Sequence, residues 1–98
     1  MNIPVVLSPA ADQEFEAAAA WYEEQKAQLG TEFVEEVQEA LDRIGRMPDL
    51  PVVLYRNIRR VRVTRFPYNI FYRIHIDRIE VIAVLHSHRN PSDWKSRA

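Results

Sequence analysis

Between Arg59 and Ile74 the chain reads RRVRVTRFPYNIFYRI, five arginines in sixteen residues set among the β-branched and aromatic residues of strands. Further on, His86, His88 and Arg89 follow an apolar run in VLHSHRNP. Arginine stays charged at every physiological pH and is a poor base, whereas histidine titrates near neutrality. Cleaving RNA without a metal takes a base on the ribose 2′-hydroxyl, cations on the crowded phosphate and an acid for the leaving 5′-oxygen. Arg60, Arg62, Arg73 and Arg89 are candidates for the cations, and His86 or His88 for the proton transfer. The same cations, interleaved with the ring of Phe71, also suit binding without reaction, since such a surface pairs with phosphates and stacks a base.

Each of these residues has a plainer reading beside the chemical one. His86 can simply bond at a strand end and His75 can be a surface strand residue, while Tyr68, Phe71 and Tyr72 suit packing. Arg59, Arg65 and Arg78 fit ordinary edge or turn charges that discourage sheet-to-sheet association. The HxH pair at 86 and 88 lacks a third ligand at suitable spacing, so no metal site is expected, and no cofactor motif is present.

The elements that position these residues follow from periodicity. IPVVL within Met1 to Leu7 suits a short strand, with Pro4 marking its end or an edge position. Ser8-Pro9 then reads as an N-cap and a first helical proline, with Ala11, Phe15, Ala18 and Tyr22 at helical spacing. Gly30 is expected to end that helix and Thr31 to cap a second, from about Glu32 to Arg46, on the spacing of Phe33, Val37, Ala40, Leu41 and Ile44. Glu32, Glu35, Glu36, Glu39 and Asp42 have the spacing of a solvated helix face. After Pro51 the period becomes two: Arg60 and Arg62 alternate with Val61 and Val63, Tyr68 to Ile76 forms a second strand, Asp77-Arg78 a turn and Ile79 to Leu85 a third.

The predicted architecture is therefore α+β: an N-terminal strand, a helical hairpin, then a three-stranded antiparallel meander with the N-terminal strand added beside it and both helices on one face of the sheet. Alternation places Val61, Val63, Ile70, Tyr72 and Ile74 against the helices and leaves Arg60, Arg62, Asn69, Phe71, Arg73 and His75 on the open face. Continued alternation in the third strand puts Val84 and His86 there too.

Length and composition set the remaining bounds. The 98 residues, 47% hydrophobic, fit one domain spanning 1–98. There is no cysteine, which removes disulfides and thiolate sites and agrees with a reducing compartment. With no long apolar run and no secretory signal, a soluble cytoplasmic protein without a membrane partner is expected. The net charge of −1 is unevenly distributed: residues 1–50 hold eleven acids against three bases, residues 51–98 ten bases against three acids. Such asymmetry points to an anionic partner for the basic half, or to attraction between the halves.

The order of these elements, with RRVRVTRFPYNIFYRI followed by DRIEVIAVLHSHRNPSDW, resembles the RelE/ParE superfamily of toxins of bacterial type II toxin-antitoxin modules over about residues 3 to 95. The FPY, FYRI and VLHSHRNP segments look most like its ParE-like, plasmid-stabilisation branch. The resemblance implies a growth inhibitor held inactive by a cognate antitoxin, with operator DNA reached only through the antitoxin complex. RelE-like members cut messenger RNA in the ribosome, and ParE-like members poison DNA gyrase. Carried onto this chain, the RelE pattern matches Arg60, Arg62 and Arg89. Asn69 stands where that pattern has an arginine, and Trp94, near the place of a C-terminal tyrosine, cannot exchange a proton. A ribonuclease would use Arg60, Arg62, Arg89 and His86 as catalytic residues. A binding toxin would meet its target through Arg60, Arg62, Arg73, Phe71, His88, Arg89 and Trp94. A regulatory, non-toxic member of an antitoxin complex is the remaining alternative. The small residues Ala17 to Ala20 beside Trp21 and Tyr22 leave room for a partner element, or serve a close contact within the chain.

Overall fold

The computed structural model describes residues 3–98. Met1 and Asn2, which precede the IPVVL segment expected as the first strand, lie outside the described residues. In chain order the elements are β1 (Val5–Leu7), α1 (Pro9–Gln25), α2 (Leu29–Arg46), β2 (Val53–Tyr55), β3 (Ile58–Arg62), β4 (Tyr68–Ile74), β5 (Ile79–His86) and α3 (Ser92–Lys95). The fold is α+β, but its sheet has five strands in the order β1-β5-β4-β3-β2. The expected meander is its antiparallel core, β3-β4-β5. Two further strands flank that core. β1 pairs parallel to β5, Val5 opposite Ile79, so the N-terminal strand stands beside the meander as expected, and its parallel sense makes the sheet mixed. β2 pairs antiparallel to β3 through a tight turn in which Arg56 takes φ 53°, a left-handed conformation that the residue type does not advertise.

The helices form for the expected reasons, with one shifted boundary. The Ser8 hydroxyl accepts the Ala11 N–H at 3.2 Å and Pro9 opens α1. α2 begins at Leu29, not after Gly30, and the turn is made by Gln28 at φ 78°. The Glu23 carboxylate accepts the N–H groups of Gln28 and Gly30, each at 3.0 Å, and so serves the orphan donors at the α2 N-terminus. Gly30 is needed for proximity rather than for a cap. A Cβ there would stand 2.6 Å from the Ala19 carbonyl oxygen and 2.9 Å from Glu23 Cβ.

One apolar cluster lies between the helical hairpin and the sheet, centred on Phe33, Val37, Ile44, Ile70, Tyr72 and Val81. A second covers the opposite face of the sheet: Ile58, Phe71, Ile82, Ala83 and Leu85 beneath Trp94 of α3. The face expected to be open is thus roofed at its centre by the C-terminal segment. That segment is tied down at its end, where Arg97 donates to both oxygens of Glu14 on α1, at 3.0 and 2.7 Å, and to the Ile82 carbonyl at 2.9 Å.

Candidate target-binding surface

Arg60 and Arg62 project from β3 on the side away from the helices, as their alternation with the buried Val61 and Val63 requires. Both are exposed. Register sets Arg60 opposite Phe71 and Arg62 opposite Asn69. Phe71 is only 4% exposed, because the Trp94 indole stacks on it at 4.5 Å and 17°. Neither ring is a free platform: Phe71 and Trp94, both expected to meet a target, satisfy each other instead.

Arg73 shares the open face but is spoken for. Its Nε donates to Glu80 at 3.0 Å, and the same carboxylate oxygen lies 2.9 Å from His75 Nε2. The His75 bond and then the Arg73 cation hold the Glu80 carboxyl below its ordinary value against the opposing effect of burial.

A register shift moves the histidines elsewhere. Phe71 pairs with Ala83 but Tyr72 with Val81, so Ile82 is an extra residue in β5. Beyond such a bulge the side-chain alternation changes phase. Ile82 and Ala83 both join the cluster under α3, and Val84 joins the helix-side cluster. His86 follows Val84 to that side, contrary to the unbroken alternation expected from sequence. There its ring meets Tyr68 at 5.4 Å, and its Nδ1 accepts the His88 N–H at 3.0 Å. His86 and Arg89 line a cleft with Glu14, Ala17, Trp21 and Tyr68, and Arg89 is paired with Asp93 at 2.9 Å. Burial pushes the Tyr68 hydroxyl above the ordinary phenol value, which keeps it protonated and unavailable as a base. The residues predicted for RNA cleavage are therefore divided between two sides of the sheet: Arg60 and Arg62 on one, His86 and its neighbours on the other.

The ion pairs show where positive charge remains. Of the basic residues after Pro51, Arg59, Arg65 and Arg97 pair with Asp49, Glu32 and Glu14 of the acidic half. Arg73, Arg78 and Arg89 take Glu80, Asp77 and Asp93, the basic half's own acids. Among the described residues this leaves Arg56, Arg60, Arg62 and Lys95. Two of them converge: Arg56 and Lys95 sit over the Tyr55 ring at 5.3 and 5.1 Å, Tyr55 packs edge-on against Trp94, and Arg60 and Arg62 lie on the same side of the sheet, Arg60 opposite the Phe71 on which Trp94 stacks. The strip runs from the β2-β3 turn along β3 and onto α3. Sequence reasoning missed Arg56, Lys95 and Tyr55, whose signal was only that Arg56 and Lys95 have no acid at a pairing distance along the chain. It also missed Glu14 and Arg97, which no local pattern links.

Among the described residues no group of three His, Asp or Glu side chains stands where a metal ion could be held, and no helix is long and apolar enough to cross a membrane.

No curated protein matches the chain. Among solved structures, a chain described as the chromosomal ParDE TA system from P. aeruginosa is similar at TM-score 0.63 and 11% identity, over 86% of this chain and 95% of that one, a likeness of fold. The model of a family described as the ParE toxin of the type II toxin-antitoxin system, parDE, matches residues 5–91, and the chain belongs to that family.

Proposed function

We propose that this toxin arrests growth by binding and blocking DNA gyrase rather than by cutting RNA, and that a cognate antitoxin neutralises it and carries the pair to operator DNA. The observation that carries this reading is the separation of the unpaired cations from His86 and His88, the imidazoles predicted for proton transfer, while His75 on the cations' own side is taken up by Glu80 at 2.9 Å. Arg56, Arg60, Arg62 and Lys95 gather on the side of the sheet roofed by α3, and His86 lies with Tyr68 and Trp21 on the other. Cations without a proton-transfer group beside them can hold an anionic surface but lack the acid and base of metal-free phosphodiester cleavage. Binding is what remains for them. Arg60 and Arg62 bear the main contact, flanked by Arg56 and Lys95, while Phe71 and Trp94 keep the roof in place beneath.

The test pairs two assays on the purified protein. Gyrase supercoiling should be inhibited, and the Arg60→Glu/Arg62→Glu variant, altered only at exposed positions, should lose inhibition by at least about tenfold, since reversing two interfacial cations removes steering and contact together. Ribosomes carrying message should yield no new cleavage ends. Cut transcripts together with unhindered gyrase would overturn the proposal in favour of the ribonuclease, and growth unaffected by induction of the chain alone would remove both.

A further inference from the structure

β5 outruns its parallel neighbour. β1 reaches only to Leu7, opposite Val81, where the Ser8 N–H donates to the Val81 carbonyl at 2.9 Å, while β5 continues to His86. Past that point the strand is flanked by α1 instead. Glu14, Ala17, Ala18 and Trp21 stand at i, i+3, i+4 and i+7 of this helix, so they share one face, and that face looks onto the end of β5. Because the two middle residues are alanines, a cleft of about 280 Å³ is left between helix and strand. It adjoins a second hollow of about 500 Å³ that shares Trp21, Tyr68 and His86. Such dimensions, with an apolar floor and a few polar groups, are those of a small-molecule site.

The acid in the cleft is already compensated. Glu14 accepts the Val84 N–H at 3.0 Å, and Arg97 donates to both of its oxygens. The other polar groups are donors without an acceptor. His86 Nδ1 accepts the His88 N–H at 3.0 Å, so the neutral ring carries its proton on Nε2, which meets no protein acceptor among the described residues. Arg89 gives its Nε to Asp93 at 2.9 Å and keeps its terminal nitrogens free. The Tyr68 hydroxyl likewise has no partner among the described residues. Burial pushes that hydroxyl above the ordinary phenol value and the Arg89 cation opposes the shift, which is the effect of a guanidinium close to the phenol. Donors from β4, from β5 and from the turn after β5 thus face one space.

An aromatic surface stands beside them. Trp21 is 54% exposed, with its ring held edge-on against Tyr22 at 5.2 Å and 80°. A fixed indole next to unsatisfied donors suits a flat ring that carries an anion. Donors on three separate side chains match the three terminal oxygens of a phosphate better than the two oxygens of a carboxylate. We infer that this cleft binds a nucleoside monophosphate, its base stacked on Trp21 and its phosphate held by His86 Nε2–H, the Tyr68 hydroxyl and the terminal nitrogens of Arg89. With Glu14 and Arg97 across one end, the cleft takes a single nucleotide rather than a continuous strand. The site lies on the other side of the sheet from the strip proposed to meet gyrase, and its test does not depend on toxicity.

The probe is adenosine 5′-monophosphate titrated into the full chain, read by quenching of Trp21 emission and by NMR shifts of the Trp21 indole N–H and of the amides of Tyr68 and of His86 through Arg89. Saturable binding is expected, with adenosine and inorganic phosphate each at least about tenfold weaker, since each lacks one half of what the cleft recognises. Trp21→Ala should weaken the nucleotide at least about tenfold by removing the stack. Ala17→Leu, at an exposed position, keeps a strong helix former but fills the cleft, and should weaken binding without removing any contacting group. Arg89→Gln should weaken the nucleotide and leave adenosine unchanged. Circular dichroism establishes that all three variants are folded. No saturation at millimolar nucleotide, shifts centred on Arg60 and Arg62, full affinity in any of the variants, or phosphate alone binding as tightly as the nucleotide would overturn the inference. So would an oligonucleotide that binds here when the mononucleotide does not, which would assign the cleft to a nucleic-acid chain.

Discussion

Trp94→Ala should be among the more damaging single substitutions in the chain although it lies in the last few residues. The indole is 8% exposed and stacks at 4.5 Å on Phe71, with Ile58, Ile82, Ala83 and Leu85 in the same cluster. Truncating a buried tryptophan costs about 3 to 5 kcal/mol. The four-residue α3 can settle partway into the vacated space, which favours the lower end, about 3 kcal/mol. For a domain of this size that is a fall in Tm of about 12 to 24 °C, a large share of a total stability of about 5 to 15 kcal/mol. Urea unfolding measures it directly, and fluorescence gives a second readout, because the remaining Trp21 is 54% exposed and should emit as a solvated indole. Trp94→Phe should keep most of the stack and lose about 1 kcal/mol. Arg97→Ala loosens the same segment, so the double variant should cost less than the sum of the singles. A loss below about 1 kcal/mol for Trp94→Ala, at unchanged denaturant dependence, would refute the view that α3 is a packed roof.

The two helical glycines should respond in opposite directions. Gly30→Ala forces a methyl to 2.6 Å from a backbone oxygen and should destabilise by about 2 kcal/mol despite alanine's better helix propensity. Gly45→Ala meets only Val5 Cγ2 at 3.5 Å and should stabilise by about 0.5 to 1 kcal/mol; thermal melts of the pair decide both. The Glu80 carboxyl, held below its ordinary value chiefly by the His75 bond and also by Arg73, contributes stability that is complete above its unfolded pKa and lost as pH falls through its folded one. The stability gap between wild type and Glu80→Gln should therefore be widest near neutrality and close in strong acid, and a gap that widens on acidification would contradict the ion-pair account.

What the sequence made legible was whatever local alternation controls. Val61 and Val63 inward with Arg60 and Arg62 outward follows from a period of two with nothing to interrupt it, and the hairpin core from a period of 3.6. The departures have three physical sources. The first is pairing at long range: the parallel sense of β1 on β5, and the pairing of Arg97 with Glu14 across 83 positions, obey hydrogen-bond demand rather than any nearby pattern. The second is a single extra residue, Ile82, which carries His86 to the opposite side of the sheet and divides a constellation that looked continuous in sequence. An apolar run such as IEVIAVLH hides a bulge, because burial on both faces erases the alternation that would betray it. The third is conformation at positive φ in Gln28 and Arg56, residues that rarely announce a turn, so the start of α2 and the whole of β2 went unread.

Charge asymmetry, plain in the composition, takes on a direction only in three dimensions. Three cross-half ion pairs, Arg59 with Asp49, Arg65 with Glu32 and Arg97 with Glu14, consume part of it, so attraction between the halves is real but incomplete. What is left is separated in space: acids such as Glu16, Glu24 and Glu35 exposed on the helical side, and Arg56, Arg60, Arg62 and Lys95 on the strip beyond the sheet. A molecule polarised in this way turns in the field of an anionic partner before contact. For the proposed binding to gyrase, the association rate should therefore fall steeply with added salt while dissociation changes little. Glu35→Lys/Glu36→Lys, remote from the strip, should alter that rate much less than Arg60→Glu/Arg62→Glu. Equal effects from the two variants would mean that net charge alone attracts the partner, and the gathering of the four cations on one side of the sheet would then have no part in recognition.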